Sequence, residues 1–239
     1  MDLVRRERAQ HPHMGGRKLL QLIRPELERL GIIIGRDRFF GVLREHGLLI
    51  RKRRAKGPQT TNSQHAFRRH ENLLVRTPVT GPHQALVSDI TYLRVGDHFG
   101  YLSLVTDAWS RKIVGWCLHR SLATAGPLAA LDMAIAQLPS SATPIHHSDR
   151  GFHYCCHAYI DRLTERGLTV SMTEINHCYE NAMAERINGI LKHEYELRQR
   201  FGNFATAMRA TKQAIWLYNT RRPHLALNYG FPEVVHAAA

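Results

Sequence analysis

Three acidic residues stand where a charge needs a reason. Asp89 sits inside Ala85-Leu86-Val87-Ser88-Asp89-Ile90-Thr91-Tyr92-Leu93, a run of strand composition, and an unpaired charge in an apolar strand is expensive. Asp149 follows a second strand-like stretch, in His146-His147-Ser148-Asp149-Arg150-Gly151. Glu185 comes after a further 35 residues, on a segment of helical periodicity. Either aspartate alone reads equally well as a cap or an ion-pair partner. Together, three carboxylates are what two-metal phosphoryl transfer needs. Mg²⁺ or Mn²⁺ takes hard oxygen ligands and leaves positions for water and phosphate, and two such ions about 4 Å apart need more than one acid to hold them.

At about 100° per residue the helix around Glu185 divides into two sides. Met183, Ile187, Ile190 and Leu191 share the side expected to meet the core, and Asn181, Glu185, Asn188 and Lys192 fall within a narrow arc opposite. A stripe of one acid, two amides and a lysine suits a metal and phosphate site, with Lys192, Asn188 and Asn181 as candidate DNA contacts. An ordinary solvated face is the alternative.

Three strands precede the second acid, over 85–93, 101–106 and 112–118, joined by tight polar connections that predict an antiparallel meander. An Ala- and Leu-rich helix over 124–138, a strand ending at Ser148, a helix over 154–166 and a short strand over 168–172 follow. Helices over about 181–200 and 204–220 come last. Three strands followed by alternating helix and strand is the order of a mixed α/β sheet flanked by helices.

The front of the chain differs. Of the net charge of +13, residues 1–83 carry 18 Lys and Arg against 7 Asp and Glu, and the remaining 156 residues are nearly balanced. A basic front on a near-neutral body points to a polyanion, most commonly nucleic acid. Residues 17–23 have helical spacing, Pro25 is expected to interrupt or restart that helix, and Asp37 is placed to cap a second one bearing Phe39, Phe40 and Leu43, ended by Gly47. Two short helices with a Gly-containing link resemble a helix-turn-helix. Arg36, Arg38 and Arg44 are its candidate base-reading residues. Arg51, Lys52, Arg53 and Arg54 open a basic run that leads into a linker-like stretch and could track phosphates. The expected division is therefore 1–58 as a basic DNA-binding region, 59–82 as linker and 83–239 as the catalytic core.

Other features exclude more than they assign. No apolar run is long enough to span a bilayer, and Met1-Asp2-Leu3-Val4-Arg5-Arg6 has no apolar segment of a secretory signal. Cys117, Cys155, Cys156 and Cys178 form no CxxC pair, which fits a reduced cytoplasmic protein. The 16 histidines are scattered without zinc-ligand spacing. Cys155 and Cys156, like Trp109, Trp116 and Trp216, read as core residues. Asp107, before Ser110 and Arg111, reads as a turn former or as a fourth acid near the metals.

Several motifs in order resemble a known family. Ser88-Asp89-Ile90-Thr91-Tyr92-Leu93, His147-Ser148-Asp149-Arg150-Gly151, the helix from Asn181-Ala182-Met183-Ala184-Glu185 through Lys192, and Tyr218-Asn219-Thr220-Arg221-Arg222-Pro223-His224 with Leu227 and Pro232 resemble bacterial transposases of the insertion-sequence-three type, second reading frame. The 35-residue spacing is that of integrase-type DDE cores. The resemblance covers nearly the whole chain and departs from the common pattern at Leu86, His153 and Glu180, none of them a proposed ligand. It implies an RNase H-like fold and a catalytic, metal-holding triad of Asp89, Asp149 and Glu185 with Mg²⁺ or Mn²⁺, two ions. It also implies 3′-end nicking followed by strand transfer without a covalent protein intermediate. The implied partners are element ends and target DNA, further copies of the chain on that DNA and the first-frame protein, at the bacterial nucleoid in the cytoplasm. An RNase H-like structure-specific nuclease and a non-catalytic DNA-binding remnant are the alternatives. The spacing and the 218–224 tail speak against the first, and the presence of all three acids against the second.

Overall fold

Eleven residues without Pro or Gly, β-branched and aromatic in large part, make β1 (Ala85–Val95), and the Gly96-Asp97 turn folds it onto β2 (His98–Asp107). β2 pairs in turn with β3 (Ile113–His119), so the first three strands form the expected antiparallel meander. In the computed structural model, which describes residues 1–50, 67, 70–173 and 181–238, β4 (Ile145–Ser148) then returns beside β1 in parallel, and β5 (Thr169–Met172) lies parallel beyond it. The order is β3-β2-β1-β4-β5, which puts β1 at the centre of a mixed sheet. Its first four residues are buried on both faces, as a central strand requires.

Strand alternation sorts side chains between two helical layers. Leu102 and Leu104 of β2 point to one face, where α7 (Ala182–Glu194) and α8 (Phe204–Arg221) bring Ile187, Ile190, Leu191, Ile215 and Leu217. Val105 and Val114 point to the other, against Ala130, Leu131 and Ala134 of α4 (Ala125–Ile135) and Tyr159 and Leu163 of α6 (His157–Glu165). This is a sheet covered by helices on both faces. Among the described residues no helix is long and apolar enough to cross a membrane.

Several boundaries differ from the sequence reading. The helix expected over 154–166 is broken into α5 (Phe152–Cys155) and α6, because Cys156 is extended, at φ −69° and ψ 151°. The helix expected to reach residue 200 stops at Glu194. The chain turns back there, with Glu196 at φ +60°, buries Leu197, and pairs β6 (Arg200–Phe201) with the far end of β1. The tail adds a 3₁₀ turn over Leu225–Leu227 and α9 (Pro232–Ala237).

The front is helical throughout: α1 (Asp2–Gln10), α2 (Gly16–Arg29) and α3 (Arg36–Glu45). Pro25 neither ends nor restarts α2; it is exposed, so water can take the carbonyl that proline leaves without a donor. Asp37 does not cap α3. Gly35 occupies the N-cap, and Asp37 lies in the first turn, accepting a hydrogen bond from Arg36 at 2.7 Å. Gly31 and Gly47, both left-handed, end α2 and α3 with the paired 6→1 and 5→2 hydrogen bonds of a Schellman motif. Val4, Leu19, Leu20, Ile23, Phe39 and Leu43 form a core drawn from the front alone. Within the stretch expected as linker, residues from 70 onward are packed: Met172 N–H donates to the Glu71 carbonyl, and Leu73 N–H to Ser171 Oγ at 2.9 Å.

The close approach of α4 to β3 depends on Gly115. A Cβ at that position would lie 2.0 Å from the Ala130 carbonyl oxygen and 3.0 Å from Ala134. Gly115→Ala is expected to cost about 3 kcal/mol by overpacking, which lowers Tm by roughly 6–12 °C for a chain of this size. Thermal unfolding of the purified variant checks this, and an unchanged Tm would refute the packing of β3 on α4.

Candidate active site

The parallel pairing of β1 with β4 sets the first two acids. Ala85 pairs with Ile145, Leu86 with His146 and Val87 with His147. The same register, carried two residues on, brings Asp149 level with Asp89 where β4 ends. Asp149 leaves the strand in a tight turn, its Oδ1 accepting the Gly151 N–H at 2.9 Å. Asp149 follows the carboxyl end of β4, the place where open α/β sheets gather ligands, and Asp89 lies midway along the neighbouring β1.

The third acid is brought in by α7. That helix lies along β1, with Ala184 packed among Ala85 and Val87. Asn181 Nδ2 donates to the Ser88 carbonyl at 3.2 Å, and Asn188 Nδ2 donates to Asp89 Oδ2 at 2.7 Å. Glu185 precedes Asn188 by one turn and is exposed. The polar stripe is therefore not an ordinary solvated face, the alternative reading of the helical wheel. Asn181 and Asn188 are only 4% and 6% exposed, and the stripe forms the seam between α7 and β1, with Glu185 at its open edge.

Electrostatics show the same convergence. Burial, then the neighbouring Asp149, then Glu185 push the Asp89 carboxyl up to about 7, against the hydrogen bonds from Asn188 and Ile90. Burial lowers the Lys192 ammonium while the nearby Asp89 opposes it, so Lys192 lies close to Asp89. The Tyr154 phenol, buried with no hydrogen-bond partner among the described residues, is raised by burial, Tyr159, Asp89 and Asp149. Sequence reasoning missed Tyr154, and it missed His146, whose Nε2 lies 2.8 Å from Ser88 Oγ and 3.0 Å from Tyr159 OH. The signal for His146 is two histidines in a strand next to the acid.

The donor set fits a hard divalent cation. It consists of carboxylate oxygens, and burial together with the like charges of Asp149 and Glu185 raises Asp89. Among the described residues, no three His, Cys, Asp or Glu side chains already close around a metal position. Asp107 proves to be a turn former: fully buried, it accepts from Trp109 N–H, Ser110 N–H and Oγ, and His83 N–H at 2.7–3.2 Å. Cys155 and Cys156 are buried, but Trp216 is 55% exposed on the outer side of α8, between inward-facing Ile215 and Leu217. Arg36, Arg38 and Arg44 are exposed on α3. Arg51, Lys52, Arg53, Arg54, Cys178 and Glu180 lie outside the described residues.

Comparison with known proteins agrees with this geometry. Residues 79–178 match an integrase core domain family and residues 166–232 a second integrase core domain family, so the two matches together contain all three acids. The 31 kDa protein of insertion element IS600 of Shigella sonnei is 35% identical over 207 residues, spanning 86% of this chain and 76% of that protein. The chain belongs to the insertion-sequence transposases with an integrase core. The transposase of IS629 from Shigella sonnei is 35% identical over 201 residues, 82% of this chain and 66% of its own length. The InsF transposase of IS3A from Escherichia coli K12 is 35% identical over 153 residues, 64% and 53%. The chain thus spans between about half and three quarters of these relatives. Among solved structures, the catalytic core domain of HTLV-2 integrase superposes with a TM-score of 0.52 at 16% identity, over 65% of this chain and 97% of that one. The chain of a simian T-cell lymphotropic virus intasome gives 0.57 at 16%, over 94% and 71%. At that identity these show the fold, an RNase H-like integrase core.

A carboxyl whose pKa is raised on folding binds its proton more tightly in the folded state. The folded chain is therefore penalised as pH rises from the ordinary aspartate value of 3.8 through about 7. Without divalent metal, Asp89→Asn should melt several degrees above the wild type at pH 8, and the gap should close as pH falls toward 4. Thermal melts of both proteins across that range measure it, and a gap independent of pH would remove Asp89 from this role.

Proposed function

We propose that this chain carries out the DNA cleavage and joining steps of transposition, with Asp89, Asp149 and Glu185 as its catalytic acids. The observation that supports this best is the seam at β1, where Asp89 is level with Asp149 and bonded to the helix that carries Glu185. In this reading water attacks a phosphodiester at each element end and frees a 3′-OH. That 3′-OH then attacks a target phosphodiester and expels the target's 3′-oxygen. The three acids would hold one or two Mg²⁺ or Mn²⁺ ions, which when bound activate the attacking oxygen and stabilise the leaving one. Asn188 fixes the orientation of Asp89, and Lys192, beside the acids, meets a phosphate of the DNA.

The same proposal assigns residues 1–58 to duplex binding, 59–82 to connection and 83–239 to chemistry. Arg36, Arg38 and Arg44 would lie toward the major groove, and Arg51, Lys52, Arg53 and Arg54 along phosphates. Phosphate contacts would make binding salt-dependent. The partners are element ends and target DNA, with several copies of the chain on the DNA, as the intasome neighbour's assembly suggests by analogy. The first-frame protein of the same element is a further partner, in the bacterial cytoplasm at the nucleoid.

The test is a strand-transfer assay with a labelled element end. Asp89→Asn, Asp149→Asn and Glu185→Gln should each reduce nicking and joining to background while DNA binding persists, because an amide keeps the shape and loses the charge. Chelation should abolish activity and added Mg²⁺ or Mn²⁺ restore it. Nicking without joining would identify a nuclease instead, and near-native joining by any of the three variants would remove that residue from the triad. Lys192→Ala should reduce the slope of log affinity against log salt by about one unit, and an unchanged slope with unchanged activity would return Lys192 to the solvated surface.

A further inference from the structure

The residues 218–224, which mark the end of the core in sequence, take no part in the acid site, yet nearly every one has a partner. Asn219 bonds β3 through both ends of its amide, accepting from Ile113 N–H and donating to Ile113 O, each at 2.9 Å. Tyr218 stacks edge-on against His224 at 4.9 Å. Arg222, 1% exposed, forks onto the Glu194 carboxylate, Nε to Oε2 at 2.7 Å and Nη2 to Oε1 at 2.9 Å, and its Nη1 donates to His224 Nε2 at 2.9 Å. Arg221 reaches Glu7 of α1 at 3.5 Å.

Glu194 is the last residue of α7, and the front converges on it. Lys18 of α2 places Nζ 3.3 Å from Glu194 Oε1, and His13 N–H donates to the Glu194 carbonyl at 3.3 Å. His13 Nε2 lies 2.9 Å from Glu196 Oε1, and the fully buried His11 places Nδ1 3.1 Å from the Tyr195 hydroxyl. Burial raises the Glu194 pKa, and Arg222 with Lys18 more than offsets this, so the carboxylate stays charged between two cations. The front's own apolar cluster contains no residue of the integrase core. Much of the junction is therefore polar and directional. Buried ion pairs are weak evidence for stability, because apolar side chains of similar volume do as well, but their geometry admits one placement.

We infer that Lys18, Glu194 and Arg222 are positioning residues, a clamp that fixes the N-terminal helices to the C-terminal end of α7 and so sets where DNA held by those helices meets the acids. Glu185 lies nine residues back along the same helix, about 14 Å at the α-helical rise. A rotation of the front about a loosened junction would displace bound DNA from the acids without touching a ligand of the site. This rests on the proposed transposition reading for its DNA consequence, but not for the clamp itself.

The experiment uses the full chain and the variants Lys18→Met, Lys18→Arg and Glu194→Gln. Lys18→Met keeps most of the stem and removes the charge, so it stays folded even where Glu194→Gln, which leaves Arg222 buried without its counter-ion, does not. Without DNA, hydrogen exchange of α2 amides should accelerate about tenfold or more in Lys18→Met, while β1 and β2 amides stay at the wild-type rate. With a labelled element end, Lys18→Met should lower joining turnover severalfold at saturating DNA and leave the Kd for DNA nearly unchanged, and Lys18→Arg should restore turnover. Unchanged α2 exchange in both Lys18→Met and Glu194→Gln overturns the clamp. Acceleration spread equally through the sheet overturns it too, because the network would then be a general stabiliser. Faster α2 exchange with unaltered turnover overturns the positioning role. A wild-type chain that joins no DNA, with the exchange pattern as stated, would sink the transposition reading and leave the clamp standing.

Discussion

A carboxylate in the central strand of an apolar sheet has to be kept from its own preference for water, and the rest of the fold is arranged around that constraint. Asp89 loses hydration to its surroundings and gains two acidic neighbours, and both effects raise its pKa. Against them the protein sets one short hydrogen bond from Asn188, one from the Ile90 N–H and the proximity of Lys192. Two of those three come from α7, so α7 has to run along β1. It can do so because its other side is covered by α8 and the leucines of β2. The meander, the parallel return of β4 and the helical layer behind α7 are thus conditions for one side chain's environment. Burial and acidic neighbours together outweigh the two hydrogen bonds, which is the electrostatic setting a divalent cation would relieve.

The strands were largely legible because a covered sheet leaves a plain mark in sequence: buried, β-rich runs separated by turns. β1 to β5 fall within a few residues of where composition and alternation put them. What escaped depends on partners distant in the chain. β6 has two residues, too few for any periodicity, and exists because Val95 and Arg94 offer an unpaired edge to Phe201 and Arg200. The extended Cys156 that divides α5 from α6 carries no helix-breaking residue to announce it. Pro25 was misleading for the opposite reason. It is a strong local signal overruled by a helix whose exposed side tolerates a missing hydrogen bond.

The three acids stand out in the sequence by type and spacing, and the register of β1 with β4 brings Asp89 level with Asp149. The function of the stripe on α7 was harder to read. A helical wheel states which residues share a side and is silent about what that side meets. Glu185, Asn188 and Lys192 do share one, but it meets Asp89 rather than water, so Asn188 bonds a carboxylate of its own chain. Asn181 likewise bonds the Ser88 backbone. Trp216 failed in the same way: aromatic type suggested the core, whereas its place between Ile215 and Leu217 on α8 turns it outward.

The charge asymmetry also changes meaning once the junction is seen. A basic front could be a tethered arm whose charges all face solvent. Instead Lys18 is largely buried against Glu194, and Arg8 donates to the Met14 and Leu48 carbonyls, so part of the positive charge is structural. What remains exposed on the described N-terminal helices is spread over all three, at Arg5 and Arg6 of α1, Arg17, Arg24 and Arg29 of α2, and Arg36, Arg38 and Arg44 of α3. Arg36 is partly engaged with Asp37. With its buried cations at a junction and its exposed ones on the three helices, the front presents a basic side that a polyanion can approach. The orientation of that side relative to the acids is then set by the few polar contacts around Glu194, rather than by a broad apolar interface that could slide. In such an arrangement α7 links the two halves physically: its first turns lie against Asp89 and its last residue receives Lys18.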